Sequence, residues 1–208
     1  MSKKSPLGSY LALGAMLLAA IIAGGYLWGL GNQQQAVNGA SQVVSGEAEI
    51  GGPFALIDQD GMPRRDEDFR GKYMLVFFGF TYCPDVCPTT LAILSAALKD
   101  IGPLSDDIVP VLITVDPKRD TPEMLKPYLS AFGPQFVGLT GSQDDIDDAV
   151  RAYRAYYQVD GEGEDYTINH STVVYLMDRD GRFLTNYALD MGPDAIAADL
   201  RKRLEAEG

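Results

Sequence analysis

The sequence predicts a three-layer α/β domain, and three observations carry that expectation. Residues 73–80, 108–115 and 172–177 are apolar or aromatic nearly throughout, the pattern of strands buried on both faces. Between the first two runs, Leu91, Leu94 and Leu98 recur at helical spacing. Turn residues then punctuate the chain wherever one periodicity gives way to another.

The elements follow in order. Residues 53–57 are a short strand candidate closed by Asp58-Gln59-Asp60-Gly61. After the strand at 73–80, Pro88 suits the first turn of the helix marked by the leucines. Cys83 therefore falls on the strand-to-helix loop and Cys87 at the helix N-terminus. Asp120-Thr121-Pro122-Glu123 reads as a second helix start, with a cap candidate, a first-turn proline and an acid near the positive dipole end. That helix is expected to reach about residue 132, with a short strand at 136–139 after it. A third helix carries the stripe Ile146, Val150, Tyr153 and Tyr157, and its acids Asp144, Asp145, Asp147 and Asp148 suit the N-terminal dipole. Asp178-Arg179-Asp180-Gly181 predicts a hairpin turn. Both aspartate turns resemble the start of a calcium loop, but the remainder of that pattern, including its closing glutamate, is missing, so no calcium site is expected. A C-terminal helix with Ile196, Leu200 and Leu204 on one face and Arg201, Lys202 and Arg203 near its end completes the domain.

An appendage precedes it. No charge occurs between Ser5 and Gly46, and residues 7–30 form an apolar run that would measure about 36 Å as a helix, enough to cross a bilayer. Tyr10 and Trp28 stand near its two ends, where amphipathic rings favour headgroups, and Lys3 and Lys4 keep the short N-terminus cytoplasmic. A cleaved secretory signal begins similarly, but this run is longer than a signal core and Ala23-Gly24-Gly25-Tyr26 is a poor cleavage site. No Arg- and Ser-rich mitochondrial leader is present. The expected organisation is a cytoplasmic N-terminus with a transmembrane anchor (residues 1–31), a flexible tether (32–46) with a reach of roughly 20 Å, and a folded domain (47–208). This places the chain as a single-pass protein of a bacterial inner membrane with its C-terminal domain in the periplasm.

The exported part holds all 29 acidic residues and every basic one of the 17 except Lys3 and Lys4, so it is more acidic than the whole chain at −12. Nucleic acid is excluded as a partner for such a surface. The acidity serves solubility or attracts cations or a basic partner.

The 208-residue chain contains two cysteines and one histidine. The cysteines lie in Tyr82-Cys83-Pro84-Asp85-Val86-Cys87-Pro88 and the histidine in Ile168-Asn169-His170-Ser171-Thr172. Thiolates select soft ions, and two sulfurs with one imidazole complete a three-coordinate Cu(I) site. Structural zinc normally takes four ligands. In an oxidising compartment the pair is equally a candidate disulfide. A bridge across so short a loop constrains little, so a redox or metal role suits it better than a structural staple. A helix N-terminus is expected to lower a thiol pKa. Asp85, between the thiols, either tunes them or caps a turn. Asp116, at the end of a strand, either supports the ligands or shapes the turn before Pro117. Phe80 and Tyr82 shield the site or simply pack.

Phe78-Gly79-Phe80-Thr81-Tyr82-Cys83-Pro84-Asp85-Val86-Cys87-Pro88, Val115-Asp116-Pro117-Lys118-Arg119-Asp120-Thr121-Pro122 and Asn169-His170-Ser171 together resemble the Sco/SenC family of copper-delivery proteins. The resemblance runs from about residue 52 to 204. It implies a thioredoxin-like fold, with Cys83, Cys87 and His170 as copper ligands and Cys83–Cys87 as a redox disulfide. Copper would be bound as Cu(I), with Cu(II) the other possibility. It further implies a metallochaperone rather than an enzyme, acting on the CuA site of cytochrome c oxidase subunit II, with an upstream periplasmic copper donor or thiol reductant. The alternative is a thiol-disulfide reductase keeping the CuA cysteines reduced. Against a general oxidoreductase, the cysteines are separated by three residues where thioredoxins have two, and no proline falls between Gly161 and Gly192, where thioredoxins place a cis-proline. A peroxiredoxin fits less well, since its Pro-x-x-x-Thr-x-x-Cys pattern is not met, and a copper sensor makes no distinct demand on the sequence.

Overall fold

The computed structural model describes residues 50–163, 165–188 and 190–207. The expected anchor and tether lie outside them. Among the described residues no helix is long and apolar enough to cross a membrane.

Among the described residues there are nine strands and four α-helices: β1 (Ala55–Asp58), β2 (Pro63–Arg65), β3 (Tyr73–Gly79), α1 (Val86–Ile101), β4 (Ile108–Thr114), α2 (Pro122–Ser130), β5 (Val137–Thr140), α3 (Gln143–Ala152), β6 (Tyr157–Asp160), β7 (Thr167–His170), β8 (Val174–Met177), β9 (Phe183–Tyr187) and α4 (Pro193–Glu207). Seven strands form one mixed sheet in the order β2-β1-β5-β4-β3-β8-β9. Every residue of β3 is buried, as is all of β4 except Val109, so both faces of the sheet centre are covered, as the apolar runs predict. Leu91, Leu94 and Leu98 of α1 and Ile196, Leu200 and Leu204 of α4 are all buried where the two helices pack together. Asp58 and Asp178 each fold back to accept the backbone N–H groups two and four residues on, as turn-forming aspartates do.

Topology selects one edge of this sheet. β3 and β4 are parallel, so the loops that leave Gly79 and Thr114 emerge side by side. β8 runs antiparallel to β3 with Val174 opposite Phe77, so the chain enters β8 at that same edge. Residues just before Val174 are thereby delivered beside the loop that follows β3.

Two differences from the sequence reading concern this edge. Helix α3 stops at Ala152, with Tyr153 buried at its C-cap and Arg154 at a φ of 50°, so Tyr157 is not on the helical stripe. Tyr157 instead opens a hairpin, β6–β7, that the sequence did not announce. Its strands pair with each other and not with the main sheet.

Candidate metal centre

The strand β3 ends at Gly79, and a tight loop leads through Cys83 into α1. Gly79 is required by proximity: a Cβ there would lie 2.8 Å from Cys87 Sγ and 2.8 Å from the Phe77 ring. Cys87 is fully buried in the first turn of α1, while Cys83 is half-buried, and both thiols are free. The N–H of Cys87 donates to Cys83 Sγ at 3.4 Å, so an otherwise unused helix N-terminal donor faces sulfur.

His170 closes the hairpin strand β7, paired with Tyr157. Its Nδ1 lies 2.9 Å from the carbonyl oxygen of Ser171. A carbonyl only accepts, so Nδ1 carries the proton and Nε2 keeps its lone pair. That free nitrogen stands 3.4 Å from Cys87 Sγ. Phe77 and Phe80 meet the imidazole edge-on at centroid distances of 5.8 and 5.7 Å and fence it in. The two sulfurs and Nε2 all lie within 4.8 Å of one another. Cys83, Cys87 and His170, remote in sequence, are thus brought together.

Electrostatics sets the protonation of Cys87 and His170. Burial pushes the Cys87 thiol well above its ordinary range, and the neighbouring Cys83 and Asp120 add to the shift. The helix N-terminus therefore does not leave Cys87 as a ready thiolate; desolvation outweighs it. Burial also lowers the His170 pKa, which keeps the imidazole neutral at pH 7. A buried Cys87 thiol beside a neutral imidazole suits a soft cation, which would displace the thiol proton and supply the positive charge that burial withholds.

The loop after β4 braces this arrangement. Asp120 is fully buried and accepts from Thr81 N at 3.0 Å, from the Thr81 hydroxyl at 2.5 Å and from the Thr114 hydroxyl at 2.7 Å. Its carboxyl is raised from the usual range chiefly by burial, with the threonine donors opposing. It fixes the chain two residues ahead of Cys83. Asp116 is buried at the end of β4, ion-paired with Arg119 and accepting the Tyr166 hydroxyl at 2.6 Å. Asp85 is exposed at the N-cap of α1, and the Thr89 hydroxyl donates to it at 3.4 Å. Tyr82 is exposed beside Cys83. Sequence reasoning passed over Gly79, Arg119 and Asp120. A glycine inside a buried strand signals close approach and points to the first; the other two stand between Val115 and Pro122, where Asp120 reads only as part of a helix start, although Thr121 is the N-cap and Asp120 braces Thr81 and Thr114.

The family model for SCO1/SenC matches residues 42–205. Protein SenC of Rhodobacter capsulatus is 42% identical over 163 residues, covering 78% of this chain and 74% of its own. Among solved structures, Bradyrhizobium japonicum ScoI with copper bound superposes with a TM-score of 0.69 at 45% identity, covering 74% of this chain and 98% of that one. BsSco, a member of the Sco family of cytochrome c oxidase assembly proteins in which a disulfide switch was identified, gives 0.61 at 28% identity over 76% and 95% of the two chains. Matched along most of its length, with its two thiols and its imidazole gathered at one edge of a mixed α/β sheet, the chain belongs to the SCO1/SenC family.

Proposed function

We propose that this protein is a membrane-anchored copper carrier of the bacterial periplasm. It binds Cu(I) through Cys83, Cys87 and His170 and delivers it to the CuA site of cytochrome c oxidase subunit II. The observation that carries the reading is the convergence of two sulfurs and one unprotonated imidazole nitrogen within 4.8 Å of one another, a donor set suited to a three-coordinate soft ion. Copper bound to ScoI and the oxidase-assembly role of the Sco family support it. The apolar stretch at residues 7–30 supports the anchor.

Two thiolates, Cu(I) and a neutral imidazole leave the loaded site with a net charge of −1, which the N-terminus of α1 partly offsets. Three-coordination leaves room for an incoming sulfur or nitrogen, so transfer proceeds by stepwise ligand exchange. Half-buried Cys83 is the accessible sulfur, and Cys87 and His170 hold the ion from behind. Because both sulfurs must be reduced, a Cys83–Cys87 disulfide closes the site to copper.

The second reading, a reductase of the CuA cysteines, is favoured by the disulfide switch in BsSco. In that reaction two electrons and two protons pass from the Cys83/Cys87 dithiol to a client disulfide. The two readings separate when the copper-loaded protein is mixed with an apo CuA domain whose cysteines are already reduced, and the products are parted and assayed for metal. The carrier reading predicts that most of the copper moves to the client. Copper that stays put, together with reduction of an oxidised client and recovery of the chain as its disulfide, would establish the reductase instead.

A further inference from the structure

Arg119 packs among the residues that flank the trio, and its ion pair, hydrogen bond and ring contacts go to their neighbours. Its guanidinium lies 3.8 Å from the centroid of Tyr166, 4.8 Å from that of Tyr82 and 5.8 Å from that of Phe80. Its Nε pairs with Asp116, and its Nη1 donates to the Tyr166 carbonyl at 3.1 Å. The side chain is 17% exposed. Each ring sits beside a ligand: Tyr82 precedes Cys83, Tyr166 leads into the strand ending at His170, and Phe80 meets the imidazole edge-on. The hairpin that carries His170 has no ladder to the main sheet, so beyond its short link to β8 at Val174 its seat beside the cysteine loop depends on side-chain contacts. Of these, the Arg119–Asp116–Tyr166 group faces the cysteine loop directly.

We propose that Arg119 is a positioning residue that clamps the β6–β7 hairpin, and with it His170, against the cysteine loop. The planar fork is essential to this role, because one face stacks on aromatic rings while the edge makes directed bonds to Asp116 and to a carbonyl. A lysine supplies the charge without that geometry. The inference rests on the three-ligand copper reading for its metal readout, and on the hairpin alone for its second readout.

The test uses the full-length chain in wild-type, R119Q, R119K, H170A and R119Q/H170A forms, each first checked for cooperative unfolding. Anaerobic Cu(I) competition titrations are paired with amide hydrogen exchange on the metal-free proteins. R119Q is expected to weaken Cu(I) binding by about tenfold when His170 is present and to have almost no effect in the H170A background. R119K is expected to follow R119Q. Exchange at β6 and β7 should rise in both Arg119 variants while β3 and β4 stay protected. An equal loss in both backgrounds, full rescue by lysine, or unchanged hairpin exchange would overturn the clamp. If H170A itself leaves Cu(I) affinity intact, the three-ligand reading fails, and hairpin exchange then decides the role of Arg119.

Discussion

A single methyl group at Gly79 would sit 2.8 Å from both the Cys87 sulfur and the Phe77 ring and 3.3 Å from Leu112, so the strand leaves no room for it. Gly79→Ala should therefore cost about 1–3 kcal/mol in denaturant unfolding and weaken Cu(I) binding by displacing the sulfur; an unchanged affinity would show that the sulfur position is not fixed by this contact. Protonation gives a second expectation at the same scale. Cys87 is held protonated by burial, whereas His170 is already neutral at pH 7, so ligation must expel the Cys87 proton and no proton from the imidazole. Lower pH restores the thiol proton and opposes binding; higher pH assists it. Apparent Cu(I) affinity should rise by at least about tenfold per pH unit between pH 6 and 8, and a flat profile would mean that Cys87 is not a thiolate ligand.

At the level of elements, the hairpin β6–β7 carries His170, the third of the proposed ligands. Its first strand is tied to α3 through Tyr157, whose hydroxyl donates to Asp147 at 2.5 Å and accepts from Gln143 at 2.8 Å. Tyr157→Phe removes both bonds and should cost about 1 kcal/mol, seen as faster amide exchange in β6 and β7, with Cu(I) binding weakened only while His170 is present. Unaltered exchange would show that Tyr157 does not anchor the hairpin. The same hairpin explains where sequence reasoning stopped. β3, α1, β4 and α4 were legible because their buried faces write strong periodicities into the chain. β6 has no fully buried residue and β7 buries only Ile168, so no apolar run marks them. The four-residue step from Tyr153 to Tyr157 continues the α3 stripe, although the helix has ended at Ala152. That Cys83, Cys87 and His170 lie close together was legible from residue chemistry and motif context. Arg119 and Asp120 were not, since their roles exist only where two loops and a hairpin meet in space.

For the molecule as a whole, a sheet whose centre is buried on both faces forms a base from which two loops leave one edge side by side. The sulfurs come from the first loop, the bracing carboxylates from the second, and the imidazole from a hairpin held to them by side chains. Such a division suits the proposed carrier: the sulfurs lie on a loop and helix start joined to the main sheet, while the nitrogen rides on a hairpin with no ladder to it. Oxidation of the sulfur pair would act on the whole proposed site at once, because it removes two of the three proposed ligands. The most direct test is an anaerobic Cu(I) competition titration of the full-length protein, comparing reduced wild type, reduced His170→Ala and the Cys83–Cys87 disulfide form. The account predicts one tightly bound copper in the reduced wild type, a loss of at least about tenfold, roughly 1.4 kcal/mol, in His170→Ala, and no tight binding in the disulfide form. Weak binding by the reduced wild type, or affinity indifferent to His170, would contradict it.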